Sequence, residues 1–133
     1  MTLRLAIPAL ALAALLAAAP AMAMPAGDIC PDNTTGARGR ACLQDQVVAA
    51  ENALTIVWRK VFAKLGGSDT PAGRALLAEQ RAWIAYKGKA CALYFLPGQS
   101  SLEWSNGMRC RQREISTRIV ALDQTGRDFP RQD

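Results

Sequence analysis

Four cysteines, Cys30, Cys42, Cys91 and Cys110, constrain this 133-residue chain more than any other feature. What they do depends on where the chain goes, and residues 1–23 carry the marks of an export signal. Arg4 supplies the positive start, residues 5–19 form an apolar run broken only by Pro8, and Ala21-Met22-Ala23 offers the small residues that a signal peptidase reads. The run is about 15 residues, short of the ~20 needed to cross a bilayer, and no other stretch is long and apolar enough to span. Asp28, two positions before Cys30, argues against lipid attachment at that cysteine. The sequence therefore predicts a soluble protein, periplasmic or secreted, in an oxidising space where cysteines pair.

Four cysteines allow three pairings. Their separations favour Cys30 with Cys42 and Cys91 with Cys110, each closing a short loop worth about 3 kcal/mol in the chain-entropy model. A zinc site would show a close Cys-x(2–4)-Cys pair, and none is present. A redox pair would show Cys-x-x-Cys or a depressed thiol pKa, and Arg109 and Arg111 beside Cys110 would supply the latter only to a free thiol. Histidine is absent, which excludes a Ser-His-Asp triad, a Cys-His dyad and His-ligated zinc or haem. No metal and no cofactor are expected.

After the signal, residues 24–40 are rich in Pro, Gly, Asp, Asn and Thr and read as an extended lead-in. From Ala41 the pattern changes. Leu43, Val47, Ala50, Leu54, Val57, Val61 and Leu65 recur in steps of three and four, one face of an amphipathic helix that Gly66-Gly67 terminates. Thr70 or Asp69 caps a second helix with Pro71 in its first turn. Leu76, Leu77, Gln80, Trp83, Ile84, Lys87 and Cys91 follow at helical spacing, and Pro97-Gly98 ends the helix at the latest. Residues 98–107 read as a polar loop holding Trp104. A third helix is expected from Met108 to about Gln124, with a frayed tail over 125–133. The predicted fold is all-α, a small antiparallel bundle of two long helices and a shorter third over 41–124, stapled by two disulfides.

One ordered set of residues carries a family resemblance. Cys30 is followed by Thr34-Thr35 and Ala41-Cys42, then Leu54 and Trp58. After them come Glu79-Gln80-Arg81-Ala82-Trp83-Ile84-Ala85-Tyr86-Lys87 and Cys91, and a Gly/Ser loop leads to Cys110, Thr117-Arg118 and Leu122. Over residues 30–122 this resembles the LprI-like family. The resemblance implies a small disulfide-stapled helical domain outside the cytoplasm and, as activity, inhibition of lysozyme without catalysis. The family's Gly-Gly-Ser loop is represented here by Gly98-Gln99-Ser100-Ser101, which makes Ser100 and Ser101 candidate contacts.

Three functions compete. A lysozyme inhibitor must approach an enzyme that, in its animal form, is strongly basic, whereas this chain carries formal charge +5. Export removes one cation, Arg4, and no acid, which leaves +4 and unfavourable long-range steering. Local contacts remain open, with Arg109, Arg111 or a loop serine reaching the cleft carboxylates. The alternative is an envelope module that binds an anionic cell-wall polymer, lipid or protein through Arg109, Arg111, Arg113 and Arg118. Nucleic acid is not expected for an exported chain without a binding motif. An enzyme is the least favoured: Glu79 and Glu114 are the carboxylates nearest a core, and a thin bundle offers little cleft for a carboxylate pair. Gln80, Arg81 and Trp83 present recognition chemistry, or else Trp83 is a core anchor and Gln80 bonds a neighbouring helix. Trp104 is either an exposed contact residue or a lid on the core.

Overall fold

The computed structural model describes Cys30 and residues 36–129. The expected export signal, Asp28, most of the expected lead-in, Thr34-Thr35 and residues 130–133 lie outside the described residues. Three helices follow in order: α1 (Gly36–Lys64), α2 (Pro71–Ala90) and α3 (Ser101–Asp128). Short 3-10 turns occupy Gly67–Asp69 and Ala92–Phe95, and no strand occurs among the described residues. The fold is the all-α bundle that the apolar spacing implies.

The helices run up, down and up. Arg40 near the start of α1 donates to the Ser101 hydroxyl at the start of α3 (3.2 Å), and Lys64 at the end of α1 donates to the Gly126 carbonyl near the end of α3. α1 and α3 are therefore parallel. α2 runs against both, pairing Lys87 with Glu51 on α1 and Glu79 with Arg118 on α3.

Lengths of 29, 20 and 28 residues make α2 the shorter helix, where the spacing had put the third. α1 begins at Gly36 and so takes in residues 36–40 of the expected lead-in. α3 begins at Ser101 because Ser100-Ser101-Leu102-Glu103 is a capping box. The Ser100 hydroxyl accepts from the Glu103 N–H (3.4 Å), and the Glu103 carboxylate accepts from the Ser100 N–H (2.5 Å). Trp104 thus stands in the first turns of a helix, not in a loop. At its far end α3 runs on to Asp128, and Phe129, restricted by the following Pro130, leaves the helical region at φ −105° and ψ 129°.

The turn between α1 and α2 depends on glycine. Gly66 and Gly67 take φ of +81° and +60°, a left-handed conformation that side chains with a Cβ resist. Thr70 then caps α2, accepting from the Gly73 N–H at 3.0 Å while its hydroxyl donates to the Leu65 carbonyl. Gly73 costs helix propensity, about 1 kcal/mol relative to alanine. Its reason is local: a Cβ there would fall 1.7 Å from the Gly67 carbonyl oxygen.

Two apolar clusters fill the bundle. The larger joins Leu54, Val61, Leu65, Leu76, Ile115 and Leu122, with Trp58, Phe62 and Trp83 packed at its margin. The smaller joins Cys30, Leu43 and Met108, with Phe95 and Trp104 against it. Both expected disulfides are present, Cys30–Cys42 and Cys91–Cys110, with Cα–Cα separations of 6.0 and 5.9 Å.

Candidate functional site

A groove of about 330 Å³ opens between the middles of α1 and α2. Leu54, Trp58, Leu77, Trp83 and Ile84 give it apolar walls, and Thr55, Gln80, Arg81 and the Glu51–Lys87 ion pair supply its polar groups. The walls follow from helical spacing: Trp83 and Lys87 are four residues apart on α2, as are Leu54 and Trp58 on α1. Trp58 stacks on Phe62 at 4.7 Å, and its indole N–H is buried with no acceptor. An unpaired buried donor costs about 1–3 kcal/mol. Lys87 lies 5.2 Å from the Trp83 ring centroid, so this indole is held between its own core packing and a cation.

Behind α2 sits a buried cation. Arg118 is 7 % exposed, and its Nε donates to the Gln80 Oε1 at 2.9 Å while Nη1 donates to Glu79 at 2.5 Å. Its guanidinium lies 6.0 Å from the Trp83 ring centroid. This corrects the expectation that Arg118 joins a basic surface with Arg109, Arg111 and Arg113. Position 118 lies between Ile115 and Leu122, at offsets of three and four, and those two side chains are fully buried. Arg118 therefore points inward and finds partners across the helix interface. Gln80 is likewise buried, and Trp83 is half-buried against the main core. Within the Gln80–Ile84 run, Arg81, Ala82 and Ile84 are exposed, and Gln80 and Trp83 face inward.

The other candidate residues gather at the end of the bundle where both disulfides lie. Ser100 is engaged as the cap of α3, and the Ser101 hydroxyl accepts from Arg40. Trp104 packs on the Cys30, Leu43 and Met108 cluster, with the Arg40 guanidinium 5.4 Å from its ring centroid, so it acts as a lid. Arg111 is exposed and lies 4.1 Å from the Phe95 ring centroid. Arg109 is half-buried beside it in sequence. The structure thus separates the candidates into two groups, Gln80, Arg81 and Trp83 at the groove and Ser100, Ser101, Trp104, Arg109 and Arg111 at the disulfide end.

Glu51, Thr55 and Trp58 were not among the residues singled out for binding. In the sequence Trp58 stands only among the residues that carry the family resemblance, and nothing local shows which α2 residues face it. Among the described residues no cluster of acidic or cysteine side chains could hold a metal, and no helix is long and apolar enough to cross a membrane.

The class is that of a small, disulfide-stapled three-helix bundle with an aromatic groove, the kind of frame that an oxidising compartment favours. A family model, lysozyme inhibitor LprI, matches residues 30–122. The chain belongs to the LprI family. Neither a curated protein nor a solved structure matches it.

Proposed function

We propose that this protein inhibits a lysozyme by direct binding, with the α1–α2 groove as the contact surface. The observation that carries the reading is the family match across residues 30–122. Three physical features favour the groove over the disulfide end. It combines indoles with an exposed arginine and an exposed isoleucine, side chains that supply anchoring energy at interfaces. Glu51 and Glu79 lie on its helices, so charge there is mixed, whereas the disulfide end is cationic and would repel a basic enzyme. The serines expected to make contact are already engaged in capping and in bonding Arg40. Inhibition by this route is occlusion, with no chemical step on the bundle.

The test is a cell-wall lysis assay with the oxidised protein titrated against animal-type and goose-type lysozymes. Dose-dependent inhibition is expected, weakened by Arg81→Ala and by Ile84→Ser, two exposed substitutions that remove contact area, add no charge attractive to a basic enzyme and leave the core intact. Absence of inhibition at roughly 50 µM, which would register contacts worth only about 6 kcal/mol, contradicts the reading for those enzymes. Circular dichroism of the same samples establishes that the bundle is folded.

A further inference from the structure

Three leucines stand exposed at one corner of the molecule: Leu93 at 63 %, Leu96 at 54 % and Leu102 at 69 %. The backbone gathers them. Gln99 donates its side-chain N–H to the Leu93 carbonyl and its backbone N–H to the Leu96 carbonyl, each at 3.3 Å. Leu102 follows in the first turn of α3, and the Cys91–Cys110 disulfide ties the base of the corner. Apolar side chains clustered this way on a rigid surface signal an interaction site.

Cations frame the leucines. Arg111 lies over Phe95 at 4.1 Å, and Arg40 lies over Trp104 while bonding Ser101. From Lys87 to Arg113 the chain has a single carboxylate, Glu103, and it is occupied in the capping box. Lys89 and Arg113 add charge from α2 and α3, and Arg38 adds it from α1. With Arg109 these cations number six, against Asp45, Glu103 and Glu114 among the described residues of this end.

We propose that this corner seats the protein on an anionic phospholipid surface, with Leu93, Leu96 and Leu102 entering the boundary between headgroups and acyl chains and the arginines meeting the phosphates. Apolar groups among cations are what such an interface selects, because burial of the former and attraction of the latter add. A flat lipid surface also accommodates three exposed leucines without a matching pocket. The groove lies along the middles of α1 and α2, so docking by the corner leaves it open. The proposal does not depend on lysozyme inhibition.

Sedimentation with vesicles tests it, with no lysozyme present. The oxidised protein is mixed at low salt with phosphatidylglycerol–phosphatidylcholine vesicles and with phosphatidylcholine alone. Partitioning onto the anionic vesicles is expected to exceed that onto the neutral ones by about tenfold and to weaken as salt rises. The Leu93→Ser/Leu96→Ser/Leu102→Ser variant is expected to lose about tenfold, and Leu102→Ser alone, a change at an exposed helical position, about threefold. Equal partitioning onto both vesicles, no binding to either, or leucine variants that bind like the parent would overturn the proposal. No vesicle binding alongside capture of an acidic protein would assign the corner to that protein instead.

Discussion

At the Gly66–Gly67 end of the bundle, Leu65, Leu76 and Leu122 close an apolar core; at the opposite end a much smaller cluster of Cys30, Leu43 and Met108 sits beside two disulfides. The cause is the length of α2. With Lys87 opposite Glu51, and a common rise of about 1.5 Å per residue, Ala90 reaches only to the level of Val48. Beyond that level α1 and α3 continue as a pair without a third helix. The 3-10 turn at Ala92–Phe95, Cys30 and the side chain of Trp104 cover the gap, and covalent bonds hold what apolar burial holds at the other end. Helix packing thus makes one end rigid, and cross-links make the other end both rigid and free to expose leucines.

The largest effect is expected in the main core. Leu122 is fully buried, and Leu122→Ala should cost about 3–5 kcal/mol in urea unfolding, with Met108→Ala toward about 2 kcal/mol. The reverse order would break the contrast between the two ends. Next comes the Cys91→Ser/Cys110→Ser variant, expected to lose about 3 kcal/mol. Amide exchange should rise at Ala92–Phe95 and in the first turns of α3, with the Gly66–Gly67 end still protected. Uniform loss of protection would show that the disulfide supports the whole bundle equally.

Arg118 sharpens the comparison from inside. Arg118→Ala strands the Gln80 side-chain carbonyl, and Gln80→Ala leaves the Arg118 Nε without its acceptor while Nη1 keeps Glu79, so each should cost about 1–3 kcal/mol. Because the two share one hydrogen bond, the double variant should cost less than the sum, by a double-mutant cycle in urea unfolding. The smallest effect is at the α3 cap, where Ser100→Ala should lose about 1 kcal/mol. Glu103, which accepts from the Ser100 backbone and hydroxyl, is held below its ordinary pKa. Its contribution is fully present above the ordinary glutamate range and is lost as pH falls through the lowered folded value. A carboxyl NMR titration of Glu103 should show a midpoint below that of an unstructured glutamate, and Ser100→Ala should raise it.

Helical spacing and cysteine separations carried the fold a long way. The α1 stripe from Leu43 to Leu65, the glycine stop, the Thr70-Pro71 start and both disulfide pairs all stand in the structure. The start of α3 was also legible, since Ser100-Ser101-Leu102-Glu103 spells a capping box, but glycines and serines nearby outweighed it. Arg118 was not. An arginine at a core offset reads as surface charge until a partner such as Gln80 is known to face it, and that pairing spans α2 and α3. The groove was hidden for the same reason: Trp58 and Trp83 each look like core anchors on their own helix, and the concavity exists only between helices. The sequence equally held no signal that Leu93 and Leu96 stand clear of the core.

The division of labour between groove and corner has a direct test in three indole N–H resonances, those of Trp58, Trp83 and Trp104, followed by two-dimensional NMR as lysozyme is added to the oxidised protein. Shifts at Trp58 and Trp83 with Trp104 unmoved are the result predicted for contact at the groove. A shift at Trp104 with the other two unmoved would place the contact at the disulfide end and contradict the account.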